Sequence, residues 1–372
     1  MRILEISRCG FFKALHPDNT CWIRWGSSLT ADEPNRPDGF GLPTFGEVLW
    51  RARNGAYDLV VLPAVHPEHR FDEPWHKLVA KFILKGVARS GVVPGLVSRL
   101  AGACPHVIVD IADDRRLCET TIRLFPKSLL YFKRELDLDR TARPGRVRPL
   151  PFFLPNETLI PRRWQKDIDV FFAGALCNGV RSDAVEAVRN LSTRGLRVVI
   201  SSAPMPYPDF MDALARAWLV LSPEGYGWDC YRHYEACLAG SVPLINRPTY
   251  RRPLFLQDGV HCFYYCPTEG ALVELLLAAL ANKDKLMRMA EAGRRHVLAN
   301  HTRSAVARYM LREIAEETAV ASEELESVKP SAAAPYLRST RLGARWREKA
   351  KKPSKIPKRL FGWPNSSVQQ RD

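Results

Sequence analysis

The run 221-LSPEGYGWDCYRHYEACLAGSVPLIN-246 holds the densest information in the chain. An apolar strand ends in a loop with two glycines, a small-residue helix follows, and a Pro-led apolar strand closes the unit. In a parallel α/β sheet ligands bind beyond the carboxyl ends of the strands, and 218-WLVLSP-223 ends at such a place. Gly225 and Gly227 permit close approach and backbone conformations that other residues forbid. The helix, expected from about Cys230 to Ala239, directs unpaired N–H groups and its positive dipole end at the crevice, which favours phosphate. Arg232, in its first turn, adds paired charge-assisted bonds to phosphate oxygens. Glu235 lies three residues on and shares a face with Arg232; as an ionised acceptor it suits the two hydroxyls of a ribose. Asp229 is a further candidate, which capping of the following helix explains equally well. Gly240 stops the helix. Taken alone, Arg232 and Glu235 also match an i,i+3 ion pair on a solvated helix. Their place between an apolar strand, two glycines and 236-ACLAG-240 argues for more than that.

The flanking sequence alternates strand and helix. Upstream, 168-IDVFFAG-174 reads as a strand ending in Gly174 and 181-RSDAVEAVRNLSTRG-195 as a helix headed by Arg181. The strand 196-LRVVISS-202 and the helix 208-PDFMDALARA-217 follow. Downstream come the strands 242-VPLIN-246 and 261-HCFYY-265, then helices over 268–282 and 283–300. An earlier series begins with 2-RILEIS-7, 57-YDLVVLP-63 and 107-VIVDIAD-113, continuous apolar runs typical of strands buried on both faces. A helix is expected over 75–89 and a short strand at 128-SLLYFKRE-135. Five prolines in 144–164 exclude a long helix and mark a connection. Strand–helix alternation twice over implies an α/β fold of two Rossmann-like domains facing a cleft, an N-terminal one over 1–155 and a C-terminal one over 166–320. Residues 321–372, rich in Ser, Ala, Pro and Lys, read as a linker and a basic, flexible tail.

Bulk properties agree with this division. A chain of 372 residues exceeds one ordinary core, and 46% hydrophobic content supplies apolar side chains for two. No run approaches the ~18 apolar residues of a membrane span, and the N-terminus, with Glu5, reads as a first strand and not a signal peptide. Nine cysteines without a CxxC pair fit buried thiols in a reducing compartment, hence the cytoplasm. Of the net charge of +15, nine units come from Arg338 to Asp372, where eleven Lys and Arg face two acids. The body is therefore only mildly basic, which argues against a nucleic-acid partner.

The spaced pattern P-x-G-x-G-x-D-x-x-R-x-x-E-A-x-x-A-G-x-x-P, from Pro223 to Pro243, resembles the nucleotide-sugar signature of GT-B-type glycosyltransferases. It is nearest to the exostosin-like and group-1-like bacterial branches. The commoner group-1 pattern has seven positions between two Glu residues; here ten residues separate Glu224 from Glu235, with Arg232 inside the longer loop. Weaker similarity extends to 171-FFAGALCNGVR-181 and 283-KDKLMRMAEAGRRHVLANHT-302. The resemblance implies a GT-B-type fold and a nucleoside-diphosphate sugar as donor substrate, with no separate cofactor. It implies Glu235 on the donor ribose, Arg232 and Arg181 on the diphosphate, and Gly174 and Gly225 letting backbone approach the donor. Glu224 stands where the exostosin-like branch often carries a basic residue, so its role is open.

Glycosyl transfer needs a departing diphosphate stabilised, and for inversion a base for the acceptor hydroxyl. Arg232, Arg181 and a helix N-terminus supply the first by preorganised charge, so no metal is demanded. The cluster 66-HPEHR-70 with His76 reads as a polar loop, not a metal site. Candidate bases lie at strand ends of the first domain: Asp113, Asp114 and His66. Expected partners are the donor and a glycan or lipid-linked acceptor, with a role in surface polysaccharide or glycoconjugate synthesis. The tail interleaves basic residues with Trp346, Phe361 and Trp363, a pattern suited to an anionic membrane surface at the inner face. The alternative is a non-catalytic nucleotide-sugar-binding protein, in which the first domain lacks chemistry.

Overall fold

A computed structural model describes residues 1–24, 45–64, 101–113, 115–136, 146–157, 163, 165–249, 253–268 and 270–327. The strands form two sheets. The first holds β1 (Ile3–Ser7), β2 (Thr20–Arg24), β3 (Leu59–Pro63), β4 (His106–Asp110), β5 (Tyr131–Lys133) and β6 (Val147–Pro149), ordered β2-β1-β3-β4-β5-β6. The second holds β7 (Ile168–Ala173), β8 (Val198–Ser201), β9 (Ala217–Leu221), β10 (Val242–Asn246) and β11 (Phe263–Tyr265), ordered β11-β10-β9-β7-β8. Every neighbouring pair is parallel. Parallel pairing needs helical crossovers, and these cover both faces, which is why β1, β3, β4, β7 and β10 are buried throughout.

On the first sheet lie α1 (Phe11–Leu15), α2 (Phe45–Arg53) and α3 (Glu119–Leu124); on the second, α4 (Gly179–Arg189), α5 (Tyr207–Arg216), α6 (Tyr231–Ala239), α7 (Ala271–Leu280) and α8 (Lys283–Asn300). The second sheet has one core formed with α5 and α6 and another formed with α4 and α7. The last helix, α9 (Arg303–Ser327), departs from its neighbours. Its Val306, Ala307, Tyr309 and Met310 are buried with Ile3, Phe11 and Phe132 in the core of the first sheet. Tyr309 donates to the Pro149 carbonyl at 2.9 Å, and Arg148 pairs with Glu313 and Glu317. The composition predicts a linker from 321; the helix instead runs to Ser327, and its packing is with the first sheet. The expected helix over 75–89 and the basic tail lie outside the described residues.

The proline-rich connection is a buried joint. Phe153 meets Phe11 of the first sheet edge-on at 4.6 Å, while Phe152 stacks on Tyr234 of α6 at 4.7 Å. His301, between α8 and α9, sits 2.8 Å from both the Phe152 and the Leu254 carbonyl oxygens, and its own carbonyl accepts from the Leu154 N–H. The chain thus crosses between sheets twice, and His301 ties the two crossings. All nine cysteines are free. Among the described residues no helix is long and apolar enough to cross a membrane.

Glu5 shows how a charge inside a strand shapes the first unit. Its fully buried carboxylate accepts from Ser7 Oγ (2.7 Å) and from the N–H groups of Phe11 (2.7 Å), Phe12 (2.9 Å) and Lys13 (3.0 Å). It therefore satisfies the orphan donors of α1, which Gly10 at φ 64 turns back over the strand. Glu5→Ala would leave three backbone N–H groups buried without acceptors. It is expected to cost roughly 2–4 kcal/mol in urea unfolding, whereas Glu5→Gln, which keeps one carbonyl acceptor, costs less.

Candidate functional site

In the second sheet the chain passes from β7 to β8 on one side and then crosses to β9 on the other. The strand order reverses between β7 and β9, and it is at the carboxyl ends of strands at such a reversal that open α/β sheets offer a crevice. Two loops meet there: 174–178, between β7 and α4, and 222–230, between β9 and α6. The second loop closes around His233. Ser222 Oγ lies 2.7 Å from His233 Nδ1, and His233 Nε2 lies 3.0 Å from the Trp228 carbonyl. Since a carbonyl only accepts, Nε2 donates and Nδ1 accepts from the hydroxyl. Both side chains are fully buried, so this histidine braces the loop from within.

Arg181 and Arg232 converge on the loops from opposite sides. Arg181, at the head of α4 behind the Asn178 cap, donates from Nε to the Glu224 carbonyl at 3.1 Å and from Nη1 to the Ala175 carbonyl at 2.8 Å. Arg232 donates from Nε to the Ala173 carbonyl at 3.0 Å, and its guanidinium lies 4.7 Å over the Phe172 ring. Its Nη1 is buried without a hydrogen-bond partner among the described residues. Neither arginine pairs with a carboxylate among the described residues, although both are more than nine-tenths buried. Burial, and with it the like charge of Arg181, lowers the pKa of Arg232. The glycines serve these side chains. A Cβ on Gly174, whose φ is 150, would overlap Arg232 Nη2 and lie 3.4 Å from Cζ, and a Cβ on Gly225 would lie 2.9 Å from Arg181 Nη2. Close backbone approach is thus present at both glycines, with an arginine as the approaching group.

Glu235 lies one turn beyond Arg232 on α6, buried, and makes no hydrogen bond or ion pair with any described residue. The i,i+3 ion pair that the sequence also allows is not formed. Burial pushes the carboxyl up to about 7, against the opposing pull of Arg232. Tyr207, which opens α5, feels the Glu235 charge in addition to its own burial and is pushed up to about 12; its buried hydroxyl has no partner among the described residues. Sequence reasoning missed Tyr207, because nothing within α5 shows which helix it faces. Glu224, whose role the sequence leaves open, exchanges bonds with Asn246: its N–H donates to Oδ1 and its carboxylate accepts from Nδ2, both at 2.8 Å.

Asp229 is buried and accepts from Tyr234 Oη at 2.8 Å; no side chain caps α6, so the capping explanation does not hold. The N–H of Asp229 donates at 2.9 Å to Glu135, which arrives from the end of β5 in the first sheet. A Cβ on Gly227 would overlap that carboxylate, lying 2.7 Å from Cδ. Glu135 closes the strand expected at 128–135, and the sequence gives it no role. Of the candidate bases, Asp113 is half-exposed and ion-paired with the buried Arg134, while Asp114 and His66 lie outside the described residues. Among the described residues no three His, Cys, Asp or Glu side chains gather as metal ligands, and the 66–70 cluster is likewise outside them.

The family model described as the RXYLT1 C-terminal domain matches residues 195–251, which include the loop 222–230 and all of α6 but neither the loop 174–178 nor Arg181. Comparison with curated protein sequences gives no match. Among solved structures, a glycosyltransferase from Rickettsia africae ESF-5 is similar with a TM-score of 0.51 at 9% identity, covering 85% of this chain and 98% of that one. Sucrose-phosphate synthase from Thermosynechococcus elongatus gives 0.50 at 10% identity, covering 86% and 100%. An α-glucosyltransferase solved with UDP and a DNA 13-mer gives 0.50 at 9% identity, covering 85% and 99%. The chain spans about half of S. aureus TarM, 54% of that chain. The likeness is one of architecture, and the fold is that of the GT-B glycosyltransferases.

An unpaired buried carboxyl has a thermodynamic signature. A group whose folded pKa exceeds its unfolded value binds its proton more tightly when folded, so stability falls as pH rises between the two. For Glu235 that window runs from the ordinary 4.5 to about 7. Glu235→Gln is expected to gain stability over the native chain as pH rises through it, on the order of 1–3 kcal/mol by pH 8. Urea unfolding at a series of pH values checks this; parallel curves for the two proteins would contradict it.

Proposed function

We propose that the protein is a glycosyltransferase that moves a sugar from a nucleoside-diphosphate sugar to an acceptor hydroxyl. The observation that carries this is a pair of buried guanidinium groups, Arg181 and Arg232, held by carbonyl oxygens at the strand-order reversal and ion-paired with no carboxylate among the described residues. Such a pair has unmet positive charge in a place where desolvation strengthens it. A diphosphate supplies the matching negative charge, with the uncapped N-terminus of α6 beside it.

The chemistry follows from the same groups. As the bond from the sugar to the diphosphate lengthens, negative charge accumulates on the leaving oxygens. Arg232 and Arg181 are already oriented for it, so little reorganisation accompanies the transition state. Their charge takes the part that a divalent cation plays elsewhere, which supports transfer without a metal. Glu235, unpaired and buried, accepts from the ribose hydroxyls; losing its proton to do so restores the charge that burial discourages. Asp113 remains the candidate base within the described residues. Its pairing with Arg134 fixes it just after β4. An acceptor among glycans or lipid-linked glycans rests on the resemblance of the Pro223–Pro243 run.

Calorimetric titration of a panel of nucleoside diphosphates tests the proposal. The native chain is expected to bind at least one, and Arg232→Met to weaken that binding by about 30-fold or more, since charge-assisted bonds contribute about 1.5–3 kcal/mol each. The methionine keeps contact with Phe172, so its melting temperature should not fall. No binding by the native chain, or unchanged binding by the variant, would overturn the assignment. Asp113→Asn should abolish transfer while leaving diphosphate binding intact; full transfer by the variant would remove Asp113 as the base, and binding without any transfer by the native chain would favour the binding-protein alternative.

A further inference from the structure

The second glycine of the site loop has a cause outside its own domain. Gly227 is not in the left-handed region, so backbone freedom does not require a glycine there. What requires it is Glu135: any Cβ at 227 would run into that carboxylate. Glu135 itself has φ 55, a left-handed conformation that a non-glycine residue adopts only where its surroundings hold it. Its side chain is buried at the end of β5 and reaches from the first sheet to the loop of the second, where Oε1 accepts from the Asp229 N–H at 2.9 Å. The Trp228 N–H also bonds to it.

The rest of the loop is fixed from within the second sheet. Trp228 Nε1 donates to the Arg247 carbonyl at 3.2 Å, Asp229 accepts from Tyr234, and the Gly225 N–H donates to the Gly227 carbonyl at 2.8 Å. Glu135 adds the hold from β5's end, accepting from the Trp228 and Asp229 N–H groups just before α6 begins. The stretch it holds lies between Gly225, against which Arg181 packs, and Arg232.

We propose that Glu135 is a positioning residue that clasps the first sheet to the loop 227–229 and thereby sets the placement of Arg181 and Arg232 for a diphosphate. The clasp rests on the donor-binding reading above. Glu135 does not itself contact the donor; it acts through the backbone of Trp228 and Asp229. The space at Gly227 and the carboxylate of Glu135 form a single fitted pair, so changes at the two positions are coupled.

A double-mutant cycle on the full chain tests this, with UDP, GDP and ADP as calorimetric probes and thermal melting alongside. Glu135→Ala is expected to weaken the diphosphate that the native chain binds by about tenfold, and Glu135→Gln, which retains one acceptor oxygen, by about threefold. Gly227→Ala in the native background should weaken it at least tenfold, because the new methyl displaces the carboxylate. In the Glu135→Ala background the same Gly227→Ala change should cost less than twofold. A merely structural glycine would cost the same in both backgrounds, and that additivity overturns the clasp, as does native-like binding by Glu135→Ala. Where Gly227→Ala alone does not fold, recovery of a native-like melt in the double variant supports the pairing, and failure to recover overturns it. Absence of binding to all three probes by the native chain defeats the donor reading itself, and the clasp with it.

Discussion

Two like charges buried side by side, with no carboxylate ion-paired to them among the described residues, are the constraint around which the second unit is arranged. Removing a guanidinium from water is costly unless its hydrogen bonds are replaced. The fold replaces them with carbonyl oxygens of Ala173, Ala175 and Glu224, which satisfy donors without cancelling charge. Phe172 adds the face of its ring beneath Arg232. These contacts account for part of each fork and leave Arg232 Nη1 unmet. The arrangement thus keeps the cations in place while preserving the field that an anion would feel.

That arrangement depends on the joint between the sheets. Phe152 stacks on Tyr234, and Tyr234 in turn donates to Asp229, so the connecting segment touches the site loop through one intervening ring. Arg134 lies over the other side of the joint, 5.3 Å from the Phe152 centroid, and pairs with Asp113. Helix α9 then returns to the first sheet, so a second covalent crossing backs the first. The two units are tied by packing at the joint and by polar contacts at the crevice. A displacement of one sheet against the other would therefore be felt at 227–229 before it was felt in either core.

The regular elements of the second unit were largely legible in the sequence because each announces its own period. The strand 242–246 and the helix 283–300 have the bounds expected of them, and Gly240 ends α6 in a left-handed conformation. Elements that depend on distant partners were not legible. Helix α1 is five residues long and exists by virtue of the Glu5 carboxylate, six to eight positions upstream. Strand β6 lies inside the proline-rich connection, where Pro149 is tolerated because the strand is the last in its sheet. Helix α9 has an apolar face whose partner is the first sheet, some three hundred residues earlier, and no local pattern says so. At the site, Arg181, Arg232 and Glu235 could be named from their spacing, while Tyr207 and Glu135 could not, since each enters from an element whose own sequence is silent about the crevice.

The glycines show where such inference stops. Spacing marks Gly225 and Gly227, and the family resemblance Gly174, as places where backbone comes close to something. What approaches is a charged side chain of the protein: Arg232 at the first, Arg181 at the second, Glu135 at the third. A missing methyl group records that volume is needed and carries no information about which atom fills it. The three vacated spaces nevertheless share a logic. Each admits a long charged side chain whose near atoms are fixed by backbone, so the position of its far end follows from loop geometry and not from a flexible rotamer. A site assembled in this way has its electrostatics determined by the main chain, and a substitution that adds a single carbon at any of the three glycines moves a whole charge.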